Sequence, residues 1–243
     1  MVYLHTLPAV KAIPCLTPFG IKLETYLRMA DIPYEPISSK WQITLHFQGK
    51  VPWIEYNGEA MGDSGLIMEF LNREKGVDLN RSLSDADKAV GRAFTKMVEE
   101  NTYWYEGFFL CRGMAWNRWI DNFDNLHDLF EVSKTVMFFL RPFKGRLQQT
   151  MWAHGIGRHS KVDLEGIIEK DLRAISTFLG TKPYLMGDEP TEVDAAVFGQ
   201  LSELLWTLPG SYLHRIVTVD CPNLQAYCSR IKDRYWPDWD QLT

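Results

Sequence analysis

The stretch from Val51 to Leu71, VPWIEYNGEAMGDSGLIMEFL, carries residues suited to holding a small peptide. Pro52 cannot donate to a β-ladder, so it belongs at a strand edge or in a special turn with a cis bond, which leaves the Val51 backbone free for a ligand. Asp63-Ser64 stands directly before an amphipathic helix whose Ile67, Phe70 and Leu71 share one face. The unpaired N–H groups and dipole of a helix N-terminus attract an anion, and the Ser64 hydroxyl adds a donor to a docked carboxylate. Asp63 supplies a countercharge for an ammonium. Together the pair suits the α-amino-acid end of a peptide. The same residues also fit an ordinary N-cap after a β-hairpin, with Asp63 or Ser64 as the cap.

These residues need a sheet and a helix to hold them. Trp53 to Tyr56 reads as a short strand, Asn57-Gly58 as a hairpin turn and Glu59 to Met61 as the return strand. Upstream, Val2 to Leu7 forms a first strand, and three prolines make Pro8 to Pro18 a loop. Thr17 as N-cap and Pro18 at the first helical position open helix one, along which Leu23, Leu27 and Ala30 repeat until Asp31-Ile32-Pro33 ends it. Tyr34 to Ile37 is a second strand, and Trp41 to Phe47 is ambiguous. The order β-α-β-(α)-β-β-α over residues 1–80 is a small α/β domain, not the repeated βαβ of a nucleotide-binding fold.

Beyond a linker from Gly76 to Leu83 the pattern changes class. Ser84-Asp85-Ala86-Asp87 is a capping box opening a long helix, with Val90, Phe94, Met97, Asn101 and Tyr105 on one face. Only helical periodicity follows, so residues 84–243 read as an all-α domain. A helix around Leu126 to Leu140 precedes Pro142. Arg141 to Arg146 and the Gly155 to Ser160 loop are basic, and a helix from about Val162 to Leu179 comes next. Thr191 to Asp194 is a second capping box, before an apolar helix through Ala195, Phe198, Leu201 and Leu205 that belongs in the core. A last helix carries Leu224, Tyr227, Cys228, Ile231 and Tyr235, stopped by Pro237.

The chain has 243 residues, 46% of them hydrophobic, enough for a sizeable core. A net charge of −5 without a long Lys/Arg run argues against nucleic acid as a partner. Cys15, Cys111, Cys221 and Cys228 lack the spacing of a zinc site and the density of a disulfide scaffold, which fits a reducing compartment, the cytoplasm. No signal segment opens the sequence, and apolar runs such as Val136 to Leu140 are too short to span a bilayer.

A thioredoxin-like α/β unit followed by an all-helical domain resembles the glutathione transferase superfamily. Val51-Pro52 and Asp63-Ser64 match the pattern in which that family holds the glutathione cysteinyl backbone beside a cis-proline and the γ-glutamyl end at an acid–serine pair. Thr191 to Asp194 matches the capping box of its helical domain. Leu23 to Asp31, Gly49 to Gly58, Gly155 to Ser160, Leu185 to Thr191 and Arg234 to Trp239 are similar to the failed axon connections family and its cadmium-responsive and metaxin-like relatives. The resemblance covers nearly the whole chain. It implies a homodimer that conjugates glutathione, as co-substrate, to a small apolar electrophile. The metaxin-like relatives imply the alternative, a non-catalytic binding or adaptor protein.

In the superfamily a Tyr, Ser or Cys near the start of helix one contacts the glutathione sulfur, where the dipole and a hydroxyl donor favour thiolate. Here Thr17-Pro18-Phe19-Gly20 falls where redox relatives have Cys-Pro-x-Cys. Neither thiol is present. That leaves Thr17 as the hydroxyl donor, with Cys15 competing as a residue able to form a mixed disulfide, and glutaredoxin-like reduction would need Cys15. Tyr3 and His5, on one face of strand one, are more distant candidates. By the resemblance Trp41, Lys50 and Trp53 flank the peptide groove, Lys50 facing the glycine carboxylate. Tyr103, Trp104, Tyr105, Phe108, Phe109, Trp116 and Trp119 line an apolar pocket or serve as core or dimer interface. Arg112, Arg158 and His159 suit a polar ligand. Arg141 to Arg146 reads as a solvated face, with a membrane-surface contact as its alternative.

Overall fold

The computed structural model describes residues 1–9, 11–38, 50–105 and 141–243. Trp41, Cys111, Arg112, the aromatics from Phe108 to Trp119 and the expected helix around Leu126 to Leu140 lie outside the described residues. In the N-terminal part, β1 (Val2–Thr6) leads to α1 (Pro18–Met29) and β2 (Tyr34–Ser38); β3 (Trp53–Tyr56), β4 (Glu59–Gly62) and α2 (Ser64–Lys75) follow. The sheet order is β2-β1-β3-β4. β1 runs parallel to β2, with Val2 opposite Tyr34, because α1 returns the chain to the same end. β1 pairs antiparallel with β3, Leu4 opposite Ile54, and β3 with β4, Ile54 opposite Met61. The hairpin turns at Asn57 (φ 52°) and Gly58 (φ 83°), the left-handed conformations expected of that pair.

The helical part comprises α3 (Asp85–Met97), which widens into a π-helical turn over Val98–Thr102, then α4 (Arg141–His154), α5 (Lys161–Leu179), α6 (Glu192–Ser202) with a π-helical turn over Glu203–Thr207, α7 (Tyr212–Arg215), α8 (Pro222–Tyr235) and α9 (Trp239–Leu242). Both capping boxes form: Ser84 and Asp87 hold the start of α3, and Thr191 and Asp194 that of α6. Asp194 is fully buried and also accepts from Leu185 N–H and the Tyr227 hydroxyl, so its cap ties α6 to α8. Pro142 lies within the described part of α4, Arg141–His154, so the chain is helical on its C-terminal side.

Buried side chains form two clusters that meet at α1. Leu23, Tyr26 and Leu27 pack under the sheet with Val2, Leu4 and Ile54, whereas Ile21 joins the helical core with Val197, Phe198 and Leu201. α6 lies so close to α1 that a Cβ on Gly199 would stand 2.5 Å from the Pro18 carbonyl oxygen. A helix enclosed on both sides buries its polar residues as well, and Lys22, Glu24 and Thr25 are all buried. Each therefore needs a partner.

The partners tie the molecule together. The Arg28 guanidinium stacks 4.0 Å over Trp236, and its Nη2 donates to Asp238 at 2.9 Å and to Glu24 at 3.1 Å. Trp236 Nε1 donates to Thr25 Oγ1 at 3.0 Å. The Arg234 to Trp239 segment is thus a clasp across α1.

Candidate functional site

Helix α2 begins at a backbone outlier. Asp63 has φ 69° and ψ 112°, a conformation that costs a residue with a Cβ about 1–3 kcal/mol and that clusters at ligand-holding positions. Its Oδ1 accepts from Gly65 N–H at 2.9 Å and Leu66 N–H at 3.1 Å. Two of the helix donors expected to serve an anion are therefore occupied by Asp63 itself. Asp63 is exposed, so its carboxylate also offers negative charge to an ammonium in solvent.

Ser64 is buried beside it, and its Oγ accepts from Lys22 Nζ at 3.3 Å. An ammonium has only donors, so that bond aims the Ser64 hydrogen elsewhere, as a donor for a carboxylate. Lys22 is itself held by Glu99 Oε1 at 2.6 Å, and Glu99 Oε2 takes Lys96 at 3.0 Å. Buried ions survive only when paired in this way. The run Ser64–Lys22–Glu99–Lys96 joins the start of α2 to α1 and α3, and it places a buried cation behind the serine. Sequence reasoning missed it; the available signal was a Lys within the apolar stretch of helix one.

Thr17 caps α1 with its backbone alone. Its carbonyl accepts from Gly20 and Ile21, and its side chain makes no capping hydrogen bond. Five residues, or about 7 Å of helix, separate it from Lys22. Ser64 is thereby brought against the same helix that starts at Thr17.

Cys15 stands differently. It is fully buried, 2.8 Å from Thr6 Oγ1, and burial pushes its thiol up to about 12, away from what a nucleophile needs. Gly20 makes the room, since a Cβ there would lie 2.4 Å from the Cys15 sulfur. In this structure the Cys15 thiol is a core group, which weighs against it as the competitor of Thr17. Tyr105 is likewise fully enclosed, its hydroxyl 3.4 Å from Glu165, and presents no surface to a co-substrate. Burial pushes its hydroxyl well above the usual phenol range.

Val51 lies outside the ladder, whose pairing on this strand begins at Trp53, and the Val51–Pro52 bond is cis. Lys50 is exposed. Trp53 is buried and stacks on His5 with ring centroids 3.6 Å apart. Arg158 and His159 are exposed, and Arg158 Nε donates to the Trp152 carbonyl, remote in sequence from this site.

Two family models fit the chain: the glutathione S-transferase N-terminal domain over residues 18–116 and the glutathione S-transferase C-terminal domain over residues 168–231. The chain belongs to the glutathione transferase superfamily. It is 31% identical to Failed axon connections of Drosophila melanogaster over all of this chain, and it spans 60% of that relative's length. It is 28% identical to the isoprene-epoxide–glutathione S-transferase of Rhodococcus sp. (strain AD45), over 92% of this chain and 94% of that protein. With Metaxin-2 of Mus musculus it shares 26% identity over 90% of this chain and 82% of that one. Glutathione S-transferase unclassified 2 from Bombyx mori has the same fold, with a TM-score of 0.62 at 14% identity, 99% of this chain and 93% of that one being covered. The glutathione transferase fold is therefore that of a thioredoxin-like unit joined to an all-helical one. Among the described residues no helix is long and apolar enough to cross a membrane.

Proposed function

We propose that the protein is a glutathione transferase whose peptide site is the start of α2. The observation that carries this reading is the outlier Asp63 beside a serine backed by the buried Lys22 ammonium. In this reading the γ-glutamyl ammonium meets the Asp63 carboxylate, and its carboxylate takes the Ser64 hydroxyl. The cysteinyl backbone lies along Val51-Pro52, and Lys50 faces the glycine carboxylate. Thr17 donates its hydroxyl to the sulfur, which with the α1 dipole favours loss of the thiol proton to solvent. The thiolate then attacks an electrophilic carbon: a C–S bond forms, and the broken bond's electron pair leaves on its departing atom. The likeness to an isoprene-epoxide transferase supports an apolar electrophile such as an epoxide, in which that atom is the ring oxygen. Residues 1–80 form the glutathione-binding domain and 84–243 the helical domain of a cytoplasmic homodimer.

A second reading, a glutathione-transferase-like binding or adaptor protein, is favoured by the likeness to Metaxin-2 and by the enclosure of Cys15. Calorimetric titration with reduced glutathione separates the two. The transferase reading expects saturable binding, weakened at least tenfold in Ser64→Ala and in Asp63→Ala variants that stay folded. No binding at millimolar glutathione overturns it in favour of the adaptor.

A further inference from the structure

A cleft beside the start of α2 runs between α2, the linker and α3 and meets the candidate peptide site at Lys22 and Gly65. Its outer lobe, about 450 Å³, and its inner lobe, about 170 Å³, adjoin at Asn80, Lys88 and Glu192, which line both. Volumes of this order hold small molecules. The polar groups on its walls are oriented unevenly. Asn80 has its side-chain oxygen fixed by the Glu192 N–H at the start of α6, 3.3 Å away, which leaves its amide N–H groups as the free end. Lys88 and Arg92 stand one turn apart on α3, both exposed, and among the described residues neither forms an ion pair. Like charges at that spacing repel by a few tenths of a kcal/mol.

Three carboxylates also reach the cleft, and none neutralises these cations. Glu192 accepts from Asn72 Nδ2 at 2.7 Å, Asp78 accepts from Asn80 N–H at 2.8 Å, and Glu69 is exposed without an ion pair to either cation. The inner lobe ends on buried Lys22 and on Gly65 in the first turn of α2. What the cleft offers a ligand is thus a row of donors, Asn80, Lys88 and Arg92, leading toward a buried ammonium.

We propose that this cleft binds a small molecule bearing two or more anionic groups, phosphates or carboxylates, spaced about one helical turn apart. Two neighbouring cations without carboxylate partners gain most from a ligand that bridges them, because a single ion satisfies only one. The inference does not rest on glutathione binding.

Calorimetry with tripolyphosphate, with citrate and with inorganic phosphate in moderate salt tests it on the intact chain. The expected result is one saturable site for tripolyphosphate or citrate, with inorganic phosphate at least tenfold weaker. The stronger of the two polyanions identifies phosphate or carboxylate as the preferred group. Lys88→Gln/Arg92→Gln should weaken that binding at least tenfold. Both positions are exposed, so the variant should fold, as its circular dichroism would verify. Absence of saturable binding, or equal affinity in the double variant, overturns the proposal.

Discussion

Glu203 gives the sharpest test of the physical picture of the α1–α6 junction. It sits one turn beyond Gly199, the residue that touches the Pro18 carbonyl, and it opens the π-helical turn of α6. The side chain is buried; Oε2 is 3.1 Å from the Thr207 hydroxyl, and Oε1 has no hydrogen-bond partner. Burial pushes its carboxyl from 4.5 up to about 8, with the Thr207 contact opposing only in part. The folded protein therefore retains a proton that the unfolded chain releases. Stability contributed by this proton is full below about pH 4.5, falls as pH rises and is lost above about pH 8. At 1.36 kcal/mol for each tenfold step, the interval corresponds to at most about 5 kcal/mol. Glu203→Gln preserves shape and cannot ionise. Its urea-denaturation midpoint should lie close to that of the parent at pH 4.5. At pH 8.5 the variant should be more stable by several kcal/mol, a gain of about 10 °C or more in Tm. Subtracting the two proteins at each pH removes the other titrating groups, which they share. Parallel stability profiles from pH 4.5 to 8.5 would refute the reasoning, since they would mean that Glu203 is hydrated or charged in the fold.

Other consequences follow from the same contacts. Lys22→Met strands Glu99 with only Lys96 and should cost about 3 kcal/mol by chemical denaturation; a change under 0.5 kcal/mol would mean the pair is solvated. Gly199→Ala has to part α1 from α6 and should cost about 1–3 kcal/mol, read from the same assay. Arg28→Lys keeps the charge but loses the fork to Asp238 and the stack on Trp236, so it should lower stability by about 1.5–3 kcal/mol and raise protease sensitivity near the C-terminus. Cys15→Ala should leave the number of fast-reacting thiols in the native protein unchanged, since the Cys15 sulfur is enclosed and its thiol is pushed up to about 12.

Where the sequence was informative, the signals were local. The Asn57-Gly58 turn, Pro18 at the first position of α1 and the two Ser/Thr-x-x-Asp boxes mark element ends by chemistry that acts within four residues, and all are in the structure. The residue pattern around α4 stays ambiguous, because a proline such as Pro142 carries opposite meanings at a helix start and in its interior. The site shows the same division. Asp63 and Ser64 were legible as a cap, but which donors Asp63 would occupy depended on a φ of 69° that no residue pattern specifies.

The remaining site features were illegible because each is a contact between residues at least 42 positions apart in the chain. Lys22 meets Ser64 and Glu99, Thr25 meets Trp236, and Arg28 meets Asp238 across 210 residues. Helical periodicity assigns the polar residues of α1 to solvent, and that assignment fails once sheet and α6 cover opposite faces. The failure has a functional consequence. The charged side chains of α1 become internal struts: Lys22 braces Ser64 at the proposed peptide site, and Arg28 fastens the C-terminal clasp. Helix one therefore fixes Ser64 relative to Thr17 through buried ionic contacts, so substitutions at Lys22 should disturb ligand affinity even though Lys22 is 96% removed from solvent.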